Sequence, residues 1–159
     1  EEVKAEVSRA EKILEEKYPE FKGRIEKAGL GSTIYAVKPG DGSAREQAAS
    51  CQRVLGASAN IASDYATKRY RSNLINWGMI PFLYKQGDAA ATENLPFANG
   101  DYIFVPGAKK MIAEKLPGVK AYAVRADGTT AEFELSTGDM TDDERKIIQA
   151  GCLINFYRG

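Results

Sequence analysis

Gly40-Asp41-Gly42-Ser43-Ala44-Arg45-Glu46-Gln47 is the stretch on which the reading of this chain turns. Just before it, Thr33-Ile34-Tyr35-Ala36-Val37 has the short, β-branched and apolar composition of a strand, and Pro39 with two glycines then breaks that strand into a loop able to approach a ligand closely. Just after it, Ser43 and Glu46 stand at the S-x-x-E spacing of a capping box, which predicts a helix start where the serine hydroxyl and the first free amides converge. Those amides and the helix dipole favour a carboxylate or a phosphate. Arg45 in the first turn opposes the dipole, at about 0.3–1 kcal/mol for an exposed site, so the corner calls for a compensating anion. A plainer reading has Ser43 only capping the helix and Arg45 solvated beside Glu46; a capping box alone does not separate the two.

Working outward, residues 2–17 place Val3, Val7, Ala10, Ile13 and Leu14 at three- and four-residue intervals, the pattern of an amphipathic surface helix that Pro19 ends. Residues 20–28, with Phe21 and Ile25 four apart, predict a second short helix before Gly29 and Gly31. The helix after Ser43 is expected to turn Ala48, Cys51 and Leu55 to one face and to close at Gly56. Residues 60–63 read as a short buried strand, and 66–77 as a helix with Tyr70, Leu74 and Trp77 on one side. The apolar run from Met79 to Tyr84 contains Pro81, which places it at a sheet edge or a strand start.

Residues 85–99 read as a surface loop, 101–105 as a strand and 109–116 as a helix. The segments 119–125 and 129–135 read as a hairpin across Asp127-Gly128 with a type I′ turn. A second capping box, Thr141 with Glu144, starts a final helix whose apolar face is Ile147, Ile148, Gly151, Cys152 and Ile154. This alternation of strands and helices predicts one α/β or mixed domain, and no repeat, low-complexity tract or linker divides the 159 residues.

Charge and composition narrow the chemistry. Lysine plus arginine equals aspartate plus glutamate at 22 each, so no global field draws the chain to nucleic acid or an anionic membrane. Histidine is absent, which removes histidine bases, histidine metal ligands and the serine–histidine triad. Cys51 and Cys152 lie far apart and outside any C-x-x-C pair, so no all-cysteine metal site can be assembled from them; both are expected as buried free thiols suited to a reducing cytosol. No apolar run approaches the roughly 18 residues of a membrane span. Lys68, Arg69 and Arg71 beside Tyr65 and Tyr70 make a basic patch with aromatic neighbours, read chiefly as a solvated helix face and secondarily as an RNA contact.

The stretch Gly42-Ser43-Ala44-Arg45-Glu46-Gln47-Ala48-Ala49 resembles the G-S-S-R-E-H-A-A signature of the aconitase family, found in the swivelling domain that closes over the iron–sulfur active site. Residues 66–74, ending Arg71-Ser72-Asn73-Leu74, and then Gly78-Met79-Ile80-Pro81-Phe82, are similar to the family's R-S-N-L helix and the strand after it. Thr141-Asp142-Asp143-Glu144-Arg145 leading into Ala150-Gly151-Cys152-Leu153-Ile154-Asn155 resembles its last helix. The three ordered matches span about residues 30–156.

That resemblance implies an α/β fold of mixed β-sheet or barrel with flanking helices, like the small subunit of isopropylmalate dehydratase. It would comprise an N-terminal helical segment, 1–28, and a core, 30–159, and the chain, which does not start with methionine, would be a piece of a longer hydratase. By position Ser43 inherits the role of the base that takes a substrate proton, and Arg45 that of the carboxylate clamp. Gly42, Ala44 and Gln47 complete the substrate-binding set.

Two positions depart from the pattern: Ala44 replaces a second serine and Gln47 a histidine, so one hydroxyl donor and one titratable group are lost, although glutamine can still orient a partner by hydrogen bonds. The aspartate-rich entry segment and a further substrate arginine of the family's domain are also missing. The resemblance implies a hydro-lyase acting on a hydroxy di- or tricarboxylic acid of the citrate or isocitrate kind. Its [4Fe–4S] cluster would be held by cysteines of other domains or of a large subunit, with no metal ligands in this chain and no turnover by it alone, in the cytoplasm. A stand-alone small subunit of an isopropylmalate dehydratase-like enzyme, and a non-catalytic carboxylate- or RNA-binding relative, are the alternatives.

Overall fold

Two three-stranded sheets of opposite kind share one core in the computed structural model, which describes residues 2–84 and 95–158. The reading of 85–99 as a loop falls largely outside the described residues. Helix α1, Glu2–Lys17, is followed by two 3₁₀ turns, Pro19–Phe21 and Ile25–Lys27, where a second helix was expected. Pro19 at the first position of its turn and the glycines around this segment keep it from propagating.

The first sheet is parallel, built from β1 (Ser32–Ala36), β2 (Ala57–Ala62) and β3 (Ile80–Leu83) in that spatial order. Its crossovers are α2 (Arg45–Val54) and α3 (Lys68–Asn76). The register aligns Tyr35 with Ile61 and Ile61 with Phe82. Pro81, lacking an amide hydrogen, is accommodated because β3 is an edge strand.

Antiparallel pairing makes the second sheet, from β4 (Tyr102–Phe104), β5 (Val119–Val124) and β6 (Thr130–Leu135), with α4 (Ala108–Glu114) between its first two strands. The β5–β6 turn is not type I′. Asp127 keeps a negative φ, the Arg125 carbonyl accepts the Gly128 amide at 3.0 Å, and Gly128 alone is left-handed at φ 85°, the three-residue hairpin geometry.

The sheets are not closed into a barrel. They meet at one antiparallel bridge, Leu83 to Ser136, whose two backbone hydrogen bonds measure 2.6 and 3.0 Å. Between them Ile61, Phe82, Phe133 and Leu135 pack with Met111 and Ile112 of α4. Because β5 is covered on both faces, its residues sort by parity: Ala121 and Ala123 face this core, while Tyr122 and Val124 face a second one with Ala10 and Leu14 of α1. A third cluster holds α2 and α3 on the parallel sheet through Ala49, Ala62, Tyr70, Leu74 and Met79.

Helix α5, Asp142–Ala150, starts with the expected capping box, Thr141 bonding reciprocally with Glu144. It stops at Gly151, and Leu153–Arg158 forms a separate α6, so the single final helix of the sequence reading is two. The backbones of Gly78 and Gly151 approach closely: a side chain at Gly78 would run into the Gly151 carbonyl. That contact seats α5 against the end of α3.

Candidate functional site

The loops that follow β1 and β2 leave the carboxyl ends of parallel strands, the edge at which open α/β sheets receive ligands. They are laced together. The Asp64 amide donates to the Val37 carbonyl at 3.1 Å, the Ala66 amide to Pro39 at 2.9 Å, and the Thr67 hydroxyl to Gly40 at 3.1 Å. Gly40 has φ 98°, and a Cβ there would collide with the Tyr70 side chain, so the loop lies directly on that ring. The Tyr70 hydroxyl accepts from Gln52 Nε2 at 2.9 Å and Asn60 Nδ2 at 3.2 Å, which anchors the ring from below. Beside it Tyr65 donates to the Phe82 carbonyl at 3.1 Å, and burial pushes its phenol well above the ordinary tyrosine value.

Over this floor opens a cavity of about 240 Å³ lined by Gly40, Gly42, Ala44, Arg45, Ala48 and Tyr70. Arg45 is its one charged wall. The guanidinium is half-buried, and its Nε donates to the Gly40 carbonyl at 3.2 Å, so its partner is the loop and not Glu46. Gly42, Ala44 and Arg45 of the expected site are thus brought together, while Ser43 and Gln47 are exposed and stand outside the lining.

The Ser43 capping box does not form. Helix α2 begins one residue later than the spacing implied, Ala44 occupies the N-cap at φ −85° and ψ 47°, and no side chain caps it. The register shift leaves Ser43 outside the capping position and the first amides of α2 without a side-chain acceptor. By contrast α3 is capped by Thr67, whose oxygen accepts the Tyr70 amide at 3.1 Å.

The outer face of α2 also differs from expectation. Ala49 is its buried residue, whereas Ala48 and Cys51 are exposed and Leu55, just past its end, is 82% exposed, a rotation of one position from the expected face. Cys51 is therefore an exposed thiol and Cys152 a half-buried one. Arg71, counted in the basic patch, turns inward to Glu144 and two carbonyls, leaving Lys68 and Arg69 as the exposed cations of that helix start. Gly40, Ala48, Thr67 and Tyr70 were not singled out as site residues. Thr67 carried a usable signal, a threonine directly ahead of a helical run, but Tyr70 joins the site only through the packing of α3 under the loop.

With two cysteines and no histidine, the donor set does not fit an iron–sulfur cluster, and no group of three or more metal-ligating side chains occurs among the described residues. No described helix is long and apolar enough to cross a membrane.

Comparison with known proteins bears on the same segment. The chain is 27% identical over 129 residues to aconitate hydratase A of Rickettsia bellii and 29% identical over 124 residues to that of Rickettsia felis, alignments that cover 80% and 77% of this chain. Each covers 14% of the relative's own length, so the chain corresponds to a small part of these proteins. Among solved structures, a 3-isopropylmalate dehydratase of Methanocaldococcus jannaschii is similar at 21% identity and TM-score 0.48, covering 86% of this chain and 69% of that one. The family model of the aconitase C-terminal domain matches residues 3–87, which contain β1, α2, β2, α3, β3 and the whole cavity. More than half of the sequence, and the half that contains the cavity, thereby places this chain in the aconitase C-terminal domain family.

Proposed function

We propose that the chain is the swivelling domain of an aconitase-family hydro-lyase, closing over a hydroxy di- or tricarboxylic acid that cluster-bearing domains or a large subunit hold from the other side. The observation that carries this reading is Arg45. It is a half-buried cation in a small, otherwise uncharged cavity, at the start of a helix whose first amides lack a side-chain cap. A planar guanidinium binds a carboxylate with two parallel hydrogen bonds, and free amides at a helix start add to the same preference.

In this reading Arg45 and the α2 amides bind one substrate carboxylate, and Ser43, two residues earlier, takes a proton from the adjacent carbon. As that proton leaves, negative charge spreads onto the bound carboxylate, where the cation and amides already point. The same positive field lowers the cost of serine giving up its own proton, without which it is a weak base at neutral pH. Gly42 and Ala44 supply backbone with little side-chain bulk, and Gln47 orients a neighbour by hydrogen bonding. The [4Fe–4S] cluster belongs to the partner domains, since this donor set cannot hold it, and the cytoplasm is the compartment the reading implies.

The test is reconstitution with the cluster-bearing part of the parent enzyme. Ser43→Ala should lower kcat by about 10²–10⁴-fold with little change in KM, and Arg45→Lys should raise KM as well as lower kcat. Unchanged kcat in Ser43→Ala, or dehydration of citrate by the isolated chain, would overturn it.

A further inference from the structure

We infer that Thr67 is a positioning residue for Arg45, acting through the carbonyl of Gly40 that the two side chains share. This rests on the reading of Arg45 as the carboxylate clamp. The Gly40 oxygen accepts Arg45 Nε at 3.2 Å and Thr67 Oγ1 at 3.1 Å, which uses both of its lone pairs. Thr67 is itself held, because its oxygen accepts the Tyr70 amide as the N-cap of α3, so its single proton is left to aim at Gly40.

Two further restraints keep that carbonyl in place. The amide–carbonyl pairs from 64 to 37 and from 66 to 39 continue the same lacing, and the Tyr70 ring stops the loop from sinking. Thr67 therefore ties the helix that follows β2 to the orientation of a guanidinium on the helix that follows β1.

The consequence concerns how a carboxylate is approached. An arginine has five N–H donors, one on Nε and two on each terminal nitrogen, and binds a carboxylate either side-on through Nε or end-on through Nη1 and Nη2. With Nε committed to Gly40, only the end-on fork is left for a ligand. Thr67 thus selects the binding mode as well as the position of the cation. Without its hydroxyl the carbonyl loses its second donor, the loop gains freedom, and Nε returns to solvent for part of the time.

The experiment uses the ¹⁵N-labelled chain with Thr67→Ser, Thr67→Val and Thr67→Gly, reading exchange with water of the Arg45 Nε–H, assigned by its loss in Arg45→Lys. Glycine is tolerated at an N-cap nearly as well as threonine, so it removes the donor while sparing the helix start. Protected exchange in the wild type and Thr67→Ser, and about tenfold faster exchange in Thr67→Val and Thr67→Gly with amide spectra still dispersed, is expected. Equal exchange in all four, or fast exchange in the wild type, would overturn the assignment.

Citrate titrated into the same four forms, each reconstituted with the cluster-bearing part of the parent enzyme, should bind about tenfold more weakly in the two donor-less variants and normally in Thr67→Ser. Should citrate bind all four alike while the exchange pattern holds, the clamp reading fails and Thr67's hold on Arg45 stands. Should citrate bind all four alike with equal exchange, the clamp stands and the positioning role fails.

Discussion

Arg71 and Glu144, seventy-three residues apart, meet at 3.2 Å with only 18% and 21% of their side chains exposed. The arginine's other terminal nitrogen donates to the carbonyls of Thr137 at 3.3 Å and Asp139 at 2.7 Å, and the glutamate's second oxygen accepts the Thr141 amide at 2.9 Å. One carboxylate thus closes the cap of α5 and holds α3, the helix whose start supports the cavity. Arg71→Met should destabilise the chain by about 1–3 kcal/mol, because it leaves a mostly buried carboxylate and two carbonyls short of donors. Glu144→Gln, which keeps a cap acceptor, should cost less. Urea unfolding measures both, and an unchanged midpoint in Arg71→Met would return Arg71 to the surface patch of the sequence reading.

Gly40 and Gly42 make a paired comparison. Gly40→Ala forces a side chain to adopt φ 98° and drives its Cβ into Tyr70, whereas nothing lies within 4 Å of a Cβ at Gly42. The first should lower stability by about 1–3 kcal/mol and the second by no more than about 0.5 kcal/mol. Thermal unfolding of the two variants side by side decides it, with equal midpoints counting against the packed loop.

The strands and most helices were legible because burial imposes a period: Tyr35 and Ile61 sit in strands the apolar runs announced, and Leu74 lies on the buried face that 3.6-residue spacing gave. Failures came where a one-residue shift is invisible locally. Ser43-x-x-Glu46 and Thr141-x-x-Glu144 are the same pattern, yet only the second caps, since at Ser43 the loop is already laced to residues 64–67 and Arg45 bonds back to Gly40. The rotation that exposes Cys51 has the same origin: Ala48 and Ala49 are adjacent and identical, so composition did not decide which of them faces inward. Arg45 could be picked from the sequence; its partner Gly40 and their support from Thr67 and Tyr70 are tertiary facts.

Tyr65 governs the alkaline side. Burial, then the neighbouring Tyr70, raises its phenol above the usual 10.0, with Arg71 opposing. A raised value means the unfolded chain ionises first, so stability is full below about pH 10 and falls as pH rises from there toward the folded value. Each buried tyrosine of this kind steepens the fall by up to about 1.4 kcal/mol per pH unit. Tyr65→Phe should therefore start less stable at pH 8, having lost its bond to Phe82, yet decline more gently between pH 10 and 11. Parallel melting curves across that range provide the check, and identical slopes would contradict it.

Cys51 lies on an exposed helix face with Val54 81% exposed nearby, while Cys152 is half-buried at the junction of α5 and α6. Native-state labelling with a maleimide should modify Cys51 first, and mass spectrometry of the digested product should locate the adduct there. Val54→Lys should leave the unfolding midpoint within about 0.5 kcal/mol of the parent, since the side chain covers nothing. Preferential labelling of Cys152 would mean that α2 is turned with Cys51 inward, as the spacing of Ala48, Cys51 and Leu55 suggested.

The two S/T-x-x-E sequences offer the sharpest contrast between a structural and a functional serine or threonine. Thr141 accepts the Glu144 amide at 3.2 Å within a complete capping box, so Thr141→Ala should cost about 1 kcal/mol of stability. Ser43 makes no cap bond and is exposed, so Ser43→Ala should change stability by less than about 0.5 kcal/mol. If Ser43 served only to start α2, its loss would resemble that of Thr141 in the unfolding curve. A serine whose removal leaves folding untouched and abolishes turnover in the reconstituted enzyme is one whose hydroxyl acts on substrate. Urea midpoints of the two alanine variants, read beside kcat of the Ser43 variant, separate these roles in one set of measurements.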